Sequence, residues 1–312
     1  MEIVERVRQG DVRAMARLMS LIENYSPDAT LALKQLYPFT GQGLIVGITG
    51  PPGCGKSTLT DQLTQEFRRG GKTVGIVAVD PTSPFTGGAI LADRIRMQQH
   101  SLDAGVFIRS MATRGHLGGL AKATYDVVNV LDAAGKEIIL VETVGVGQDE
   151  VEVVKTAHLS IVVSVPGLGD DIQAIKAGVL EIADIFVVNK ADREGAKKTV
   201  TELQAMLALG PERSEGTPPI FETVAPQGQG IAELAQGILA RHSHLDREGF
   251  RQTRQRERSR ALFLELFQER VTRRLLEQAI ANGSLEKTIE RIADRDLDPY
   301  SAVEELLGKA GL

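Results

Sequence analysis

The run Gly50-Pro51-Pro52-Gly53-Cys54-Gly55-Lys56-Ser57 leaves this chain few folds to choose from, because it sits between the β-branched stretch Leu44–Thr49 and a helix-forming segment that opens near Thr58. It fits the pattern G-x-x-x-x-G-K-[ST], in which a strand enters a glycine-rich loop and a helix leaves it. Glycines at 50, 53 and 55 let backbone amides turn inward around phosphate oxygens, and the helix N-terminus adds positive potential. Lys56 is placed to reach the β and γ phosphates and Ser57 to ligate Mg2+. Gly50, Pro51, Pro52, Gly53, Cys54, Gly55, Lys56, Ser57 and Thr58 therefore form the candidate phosphate cradle. A simple tight turn would need neither the lysine nor the serine. Cys54 is the sole cysteine, which excludes intrachain disulfides and cysteine-based zinc clusters, so the fold must rest on packing. Its place is a variable loop position, which favours a packing role over a redox one.

The surrounding pattern agrees. Short β-branched runs at Leu44–Thr49, Thr73–Val79, Val106–Arg109, Glu137–Val141, Leu159–Val165, Ile185–Val188 and Ile220–Val224 alternate with helix-length amphipathic segments. That alternation predicts an α/β fold, a mostly parallel sheet flanked by helices. Ahead of it, Val4, Val7, Met15, Leu18, Met19 and Ile22 recur at helical spacing until Pro38, Gly41 and Gly43 break the pattern, which predicts an N-terminal helical extension over residues 1–40. The nucleotide domain is placed at 41–242. The polar, aperiodic stretch His242–Gly249 reads as a linker, leaving 243–312 as a C-terminal helical region. There Leu262, Phe263, Leu266, Phe267, Val271 and Leu275 predict one long helix over Phe250–Ala281, followed by shorter helices near Leu285–Ile292 and Ala302–Lys309.

Asn189-Lys190-Ala191-Asp192 closes the run Ile185–Val188 in the form N-K-x-D. A carboxylate at a strand end can accept from guanine N1–H and the exocyclic amine, whereas adenine offers no matching donor pair, so Asn189, Lys190 and Asp192 point to guanine. Val224-Ala225-Pro226, ending the next run, either presents a backbone amide to the guanine oxygen or is a plain turn. Hard Mg2+ prefers oxygen ligands, and the acids at expected strand ends or beyond them are Asp80, Asp93 and Glu142, with helix caps or surface charges as the alternative for each. Glu142-Thr143-Val144-Gly145 reads as a γ-phosphate sensor, Gly145 supplying an amide. With Ser57 these acids are the candidate metal set; Lys56, Asp80 and Glu142 are the candidate catalytic set. No glutamine stands in an evident water-orienting place, and no arginine finger is identifiable in the chain, which predicts slow intrinsic turnover.

Composition narrows the partners. A net charge of −5 with no tryptophan and 4% aromatic residues argues against a general nucleic-acid binder. The arginine-rich run 247–260 is interleaved with Glu248 and Glu257, which favours a solvated dimer arm over a nucleic-acid or membrane face. No apolar stretch approaches the ~18 residues of a membrane span. The opening MEIVERVRQGD lacks the layout of a secretory signal, so the expected location is cytoplasmic. Among the histidines only His242-x-His244 has metal-like spacing, and its linker setting argues against a metal site.

In order, GPPGCGKST, VDPTSPFTGGAILADRIRM, RSMATRGHLGGL, ETVGVGQDE, VPGLGDDIQAIKAG, NKAD and the closing DPYSAVEELL resemble the MeaB/ArgK-like G proteins across essentially the whole chain. The resemblance implies a SIMIBI-class P-loop GTPase, homodimeric through its C-terminal helices. Such a protein is a chaperone for an adenosylcobalamin-dependent acyl-CoA mutase of the methylmalonyl-CoA mutase type, gating cobalamin loading and protecting or reactivating the mutase through GTP binding and hydrolysis to GDP. Carried over by motif, Asp80 and Asp93 fall in a first switch and Glu142 in a second. Gly167–Gly178, with Asp170, Asp171, Gln173 and Lys176, resembles a partner-responsive third switch; Lys176 as a solvated helix charge is the alternative. His116 is family-like, without an assigned role. The competing readings are a P-loop kinase acting on a small metabolite, which needs an acceptor pocket with its own base, and a metal-insertion GTPase, which ordinarily needs Cys/His clusters. A signal-recognition GTPase would want a methionine-rich domain, and six methionines do not supply one.

Overall fold

A computed structural model describes residues 2–80, 100, 102–112, 119–143, 156–167, 183–210 and 213–309. The side chains of Asp80, Ala112, 119–121 and Lys309 lie outside that description. Asp93, His116, Gly145, Asp170, Asp171, Gln173 and Lys176 lie wholly outside it.

Seven strands form one parallel sheet: β1 Leu44–Thr49, β2 Val74–Asp80, β3 Val106–Ala112, β4 Ile138–Thr143, β5 Leu159–Ser164, β6 Ile185–Asn189 and β7 Ile220–Thr223. Their order is β3-β2-β4-β1-β5-β6-β7. From β1 the chain winds out to β2 and β3, returns to β4 beside β1, then crosses to β5 on the other side and winds outward again. The order therefore reverses around β1, and in an open parallel sheet the crevice at the carboxyl ends of such strands is where ligands bind.

Among the described residues the α-helices are α1 Glu2–Arg8, α2 Val12–Glu23, α3 Pro27–Leu36, α4 Lys56–Arg69, α5 Gly119–Ala133, α6 Ala196–Leu209, α7 Ile231–Arg247, α8 Phe250–Ala281, α9 Ser284–Ala293 and α10 Pro299–Lys309. Alternation along each strand sorts its side chains between two faces. Ile45, Val77, Val79, Ile139 and Val141 pack with α1, α2, α3 and α5, while Leu44, Val46, Ile48, Ile76, Leu140 and Ile161 pack with α4 and α7. Val162, Phe186 and Val188 meet Leu203 of α6 in a smaller cluster.

Two boundaries differ from the sequence reading. The N-terminal helices are part of the main body: Met15, Leu18 and Met19 have no exposed surface and share a core with the sheet, and Arg109 of β3 bonds Glu23 of α2 at 2.9 Å. At the other end, residues 242–247 continue α7 instead of forming a linker, because Leu245 is buried and holds the last turn to the core. The chain divides into two compact units, Met1–Arg251 and Gln252–Leu312. Among the described residues no helix is long and apolar enough to cross a membrane.

Candidate functional site

The loop between β1 and α4 is shaped by backbone that only glycine tolerates. Gly50 has φ 147°, Gly53 76° and Gly55 94°. A Cβ on Gly50 would collide with the Val163 carbonyl of β5, so the loop lies directly against the neighbouring strand. Gly55 is the N-cap of α4 and has no side chain to occupy the amides of the first turn, which therefore point out of the helix toward the loop. Lys56 is buried, and its Nζ donates to the carbonyls of Gly50 at 2.7 Å and Pro51 at 3.2 Å.

Glu142 reaches the same place from β4. The parallel register sets Ile48 of β1 opposite Glu142, and the Ser57 hydroxyl donates to Glu142 Oε1 at 2.6 Å. A hydroxyl and a carboxylate in contact at the carboxyl edge of the sheet are hard oxygen donors, a pairing that suits Mg2+. Asp80 ends β2, the strand beside β4, which places its backbone on the same edge.

The N-K-x-D turn is wired to the glycine-rich loop. Asn189 Nδ2 donates to the Cys54 carbonyl at 2.8 Å, and Lys190 Nζ donates to the Gly53 carbonyl at 2.7 Å. Lys190 adopts φ 57°, a left-handed conformation that turns the chain as it leaves β6. Asn189 Oδ1 in turn accepts from Thr223 Oγ1 at 3.1 Å and from the Ala225 amide at 3.2 Å. Within the Val224-Ala225-Pro226 turn, the Ala225 amide is thus engaged by Asn189. Asp192 is solvent-exposed beyond these contacts. Cys54 is buried, and burial pushes its thiol pKa up, with Lys56 pulling the other way. A raised pKa fits a packed thiol, not a reactive one.

Two polar neighbours of the candidate site escaped the sequence reading. Thr223 carries no motif of its own; only its position before Val224 hinted at it. Asp61 was legible as a charge one helical turn after Ser57, but its partner His100 is distant in sequence: His100 Nε2 lies 2.8 Å from Asp61 Oδ1, and both side chains are almost wholly buried.

The profile of the family described as methylmalonyl-CoA mutase-associated GTPase MeaB matches residues 15–280. The chain belongs to the MeaB family. A provisionally named GTPase of Pyrococcus horikoshii is 53% identical to this MeaB-family chain over 315 residues, covering 99% of the chain and 97% of the relative. The Escherichia coli GTPase ArgK is 32% identical, covering 98% and 95% respectively. The crystal structure of a LAO/AO transport system kinase superposes with a TM-score of 0.74 at 26% identity, covering 100% of this chain and 97% of that one. Membership in a GTPase family implies guanine-nucleotide binding.

Proposed function

We propose that the chain is a GTP-binding and GTP-hydrolysing chaperone of an adenosylcobalamin-dependent acyl-CoA mutase of the methylmalonyl-CoA mutase type. The observation that carries the nucleotide half is the pair of bonds from Asn189 and Lys190 to the Cys54 and Gly53 carbonyls, which makes base reader and phosphate cradle one rigid unit. The client half rests on the family description, which names association with that mutase.

In this reading Lys56 and the first-turn amides of α4 hold the phosphates, and Asp192 accepts from guanine. Val224, Ala225 and Pro226 shape the base edge. Ser57 and Glu142 hold Mg2+, with Asp80 and Asp93 in its shell and Gly145 at the γ-phosphate. Bound Mg2+ would neutralise charge on the phosphate oxygens. Asp170, Asp171, Gln173 and Lys176 answer to the mutase, adenosylcobalamin belongs to that partner, and the C-terminal helices form a homodimer arm in a cytoplasmic protein. Loops held by γ-phosphate contacts are released on hydrolysis, so client affinity follows nucleotide state.

Tagged protein loaded with GDP or with a nonhydrolysable GTP analogue should retain the mutase to different extents. Equal retention, or none, overturns the chaperone reading. Incubation with GTP should release free phosphate slowly. A phosphorylated small molecule instead would favour the kinase activity that the structural relative's name carries.

A further inference from the structure

β7 lies at one edge of the sheet, and of its four residues only Thr223 is buried, at 1% exposure. A polar side chain in the one covered position of such a strand is unfavourable unless its hydroxyl is bonded. The parallel register sets Thr223 beside Asn189 of β6, and two groups of Thr223 reach the N-K-x-D turn. The hydroxyl donates to Asn189 Oδ1 at 3.1 Å, and the backbone carbonyl accepts from the Ala191 amide at 3.0 Å. Ala191 directly precedes Asp192. Thr223 therefore holds the turn on both sides of Lys190, the residue with the left-handed φ of 57°.

Thr223 is itself fixed from the other side. The Val224 amide donates to the Gln229 carbonyl at 3.1 Å, and Gly230 lies so close to the Glu222 carbonyl that a Cβ would collide with it. The turn over residues 224–230 is thus closed onto the end of β7. Ala225 has no exposed surface and shares a core with Leu59 and Leu63 of α4, the helix that opens at the glycine-rich loop. Because the Thr223 hydroxyl and the Ala225 amide both donate to Asn189 Oδ1, the Asn189 Nδ2 group is left facing the Cys54 carbonyl, and flipping the amide would break all three bonds.

We infer that Thr223 is a positioning residue for base selection: by fixing Asn189 and Ala191 it sets where the Asp192 carboxylate stands, and so the preference for guanine over a purine that lacks the exocyclic amine. Buried as it is, Thr223 acts through the residues it holds. The inference deepens the guanine-nucleotide reading of the site and rests on it. A well-placed carboxylate accepts from two donors of guanine, N1–H and the amine, but from only one of hypoxanthine. Displacing Asp192 therefore lowers affinity for GDP more than for inosine diphosphate.

The test is calorimetry with GDP and with inosine diphosphate, both with Mg2+, on the wild type, Thr223→Val, Thr223→Ser and Thr199→Val. Valine keeps the β-branched shape and removes the hydroxyl, so the preference for GDP over inosine diphosphate should fall by roughly 2- to 10-fold, the worth of one ordinary hydrogen bond. Thr223→Ser retains the donor and should keep the wild-type preference. Thr199→Val removes another buried hydroxyl, which donates to the Gly195 carbonyl ahead of α6, and should leave the preference unchanged. An unaltered preference in Thr223→Val overturns the inference, as does an equal loss for both nucleotides, which is what a purely structural role would produce. A fall of the same size in Thr223→Ser or Thr199→Val overturns it too. Should Thr223→Val fail to fold, hydrogen exchange in the wild type decides: the Ala191 amide should be protected as strongly as the amides of β6, and exchange at the rate of an open loop overturns the inference. A wild type that binds GDP no more tightly than inosine diphosphate would instead overturn the guanine-nucleotide reading itself.

Discussion

The Asn189 side-chain amide donates to the Cys54 carbonyl across 2.8 Å, joining two sequence motifs 135 residues apart. Its oxygen is shared between Thr223 and the Ala225 amide, so one buried side chain braces the phosphate loop, the end of β6 and the end of β7. Asn189→Ala should therefore act on both stability and binding. Leaving buried polar groups unpaired costs about 1–3 kcal/mol each. Chemical denaturation should show a loss of at least that size, and calorimetry a guanine-nucleotide affinity down by roughly tenfold or more.

Gly50→Ala tests the loop's shape. At φ 147° an alanine is strained by about 1–3 kcal/mol even before its methyl meets the Val163 carbonyl. The expected outcome is a lower melting temperature together with loss of nucleotide binding. Gly53→Ala has open space around its Cβ and should pay only for its φ of 76°.

Replacing Ser57 by alanine, or Glu142 by glutamine, addresses the metal. The first removes the hydroxyl and the second the carboxylate charge from a pair in contact at 2.6 Å, and weakening a ligand or the group that orients it lowers metal affinity by roughly 10–100-fold. Titrating Mg2+ against GDP-bound protein should show the midpoint moving up in both variants. Binding with an unaltered Mg2+ dependence would remove these residues from the metal site.

His242 predicts a pH dependence. Burial, then the Arg251 cation, lowers its pKa below the ordinary 6.5, with Asp246 opposing. Across from it lies the His158 ring, 6.4 Å away between centroids, and His158 Nδ1 accepts from the Ile45 amide. A histidine kept neutral by the fold binds its proton more readily when unfolded, so its contribution is complete above pH 6.5 and is lost as pH falls below that value toward the lowered folded pKa. Urea midpoints should fall between pH 7.5 and pH 5.5 in the wild type, and His242→Gln should flatten that slope.

Much of the architecture was legible because its signals are local. All seven strands start and stop within about three residues of the expected runs, since β-branched stretches bounded by turns report burial on both faces of a parallel sheet. The long helix Phe250–Ala281 was legible from its three- and four-residue apolar spacing. The polar segment 242–247 was misread because a helix end needs only one buried anchor, here Leu245, and a single leucine makes no period. The N-terminal helices read as an extension because periodicity shows that a helix has an apolar face without showing what covers it; the covering surface proved to be the sheet and α5.

The order of residues alone determined the glycine-rich loop, the N-K-x-D turn and the alternating strands, since each depends on chemistry within a few neighbours of chain. Tertiary structure decided that Asn189 and Lys190 grip the phosphate loop, that Glu142 meets Ser57 and that Asp61 faces His100. Those pairings depend on strand order and on burial, which make a polar group's partner a matter of which elements pack together and not of which residues stand close in the chain.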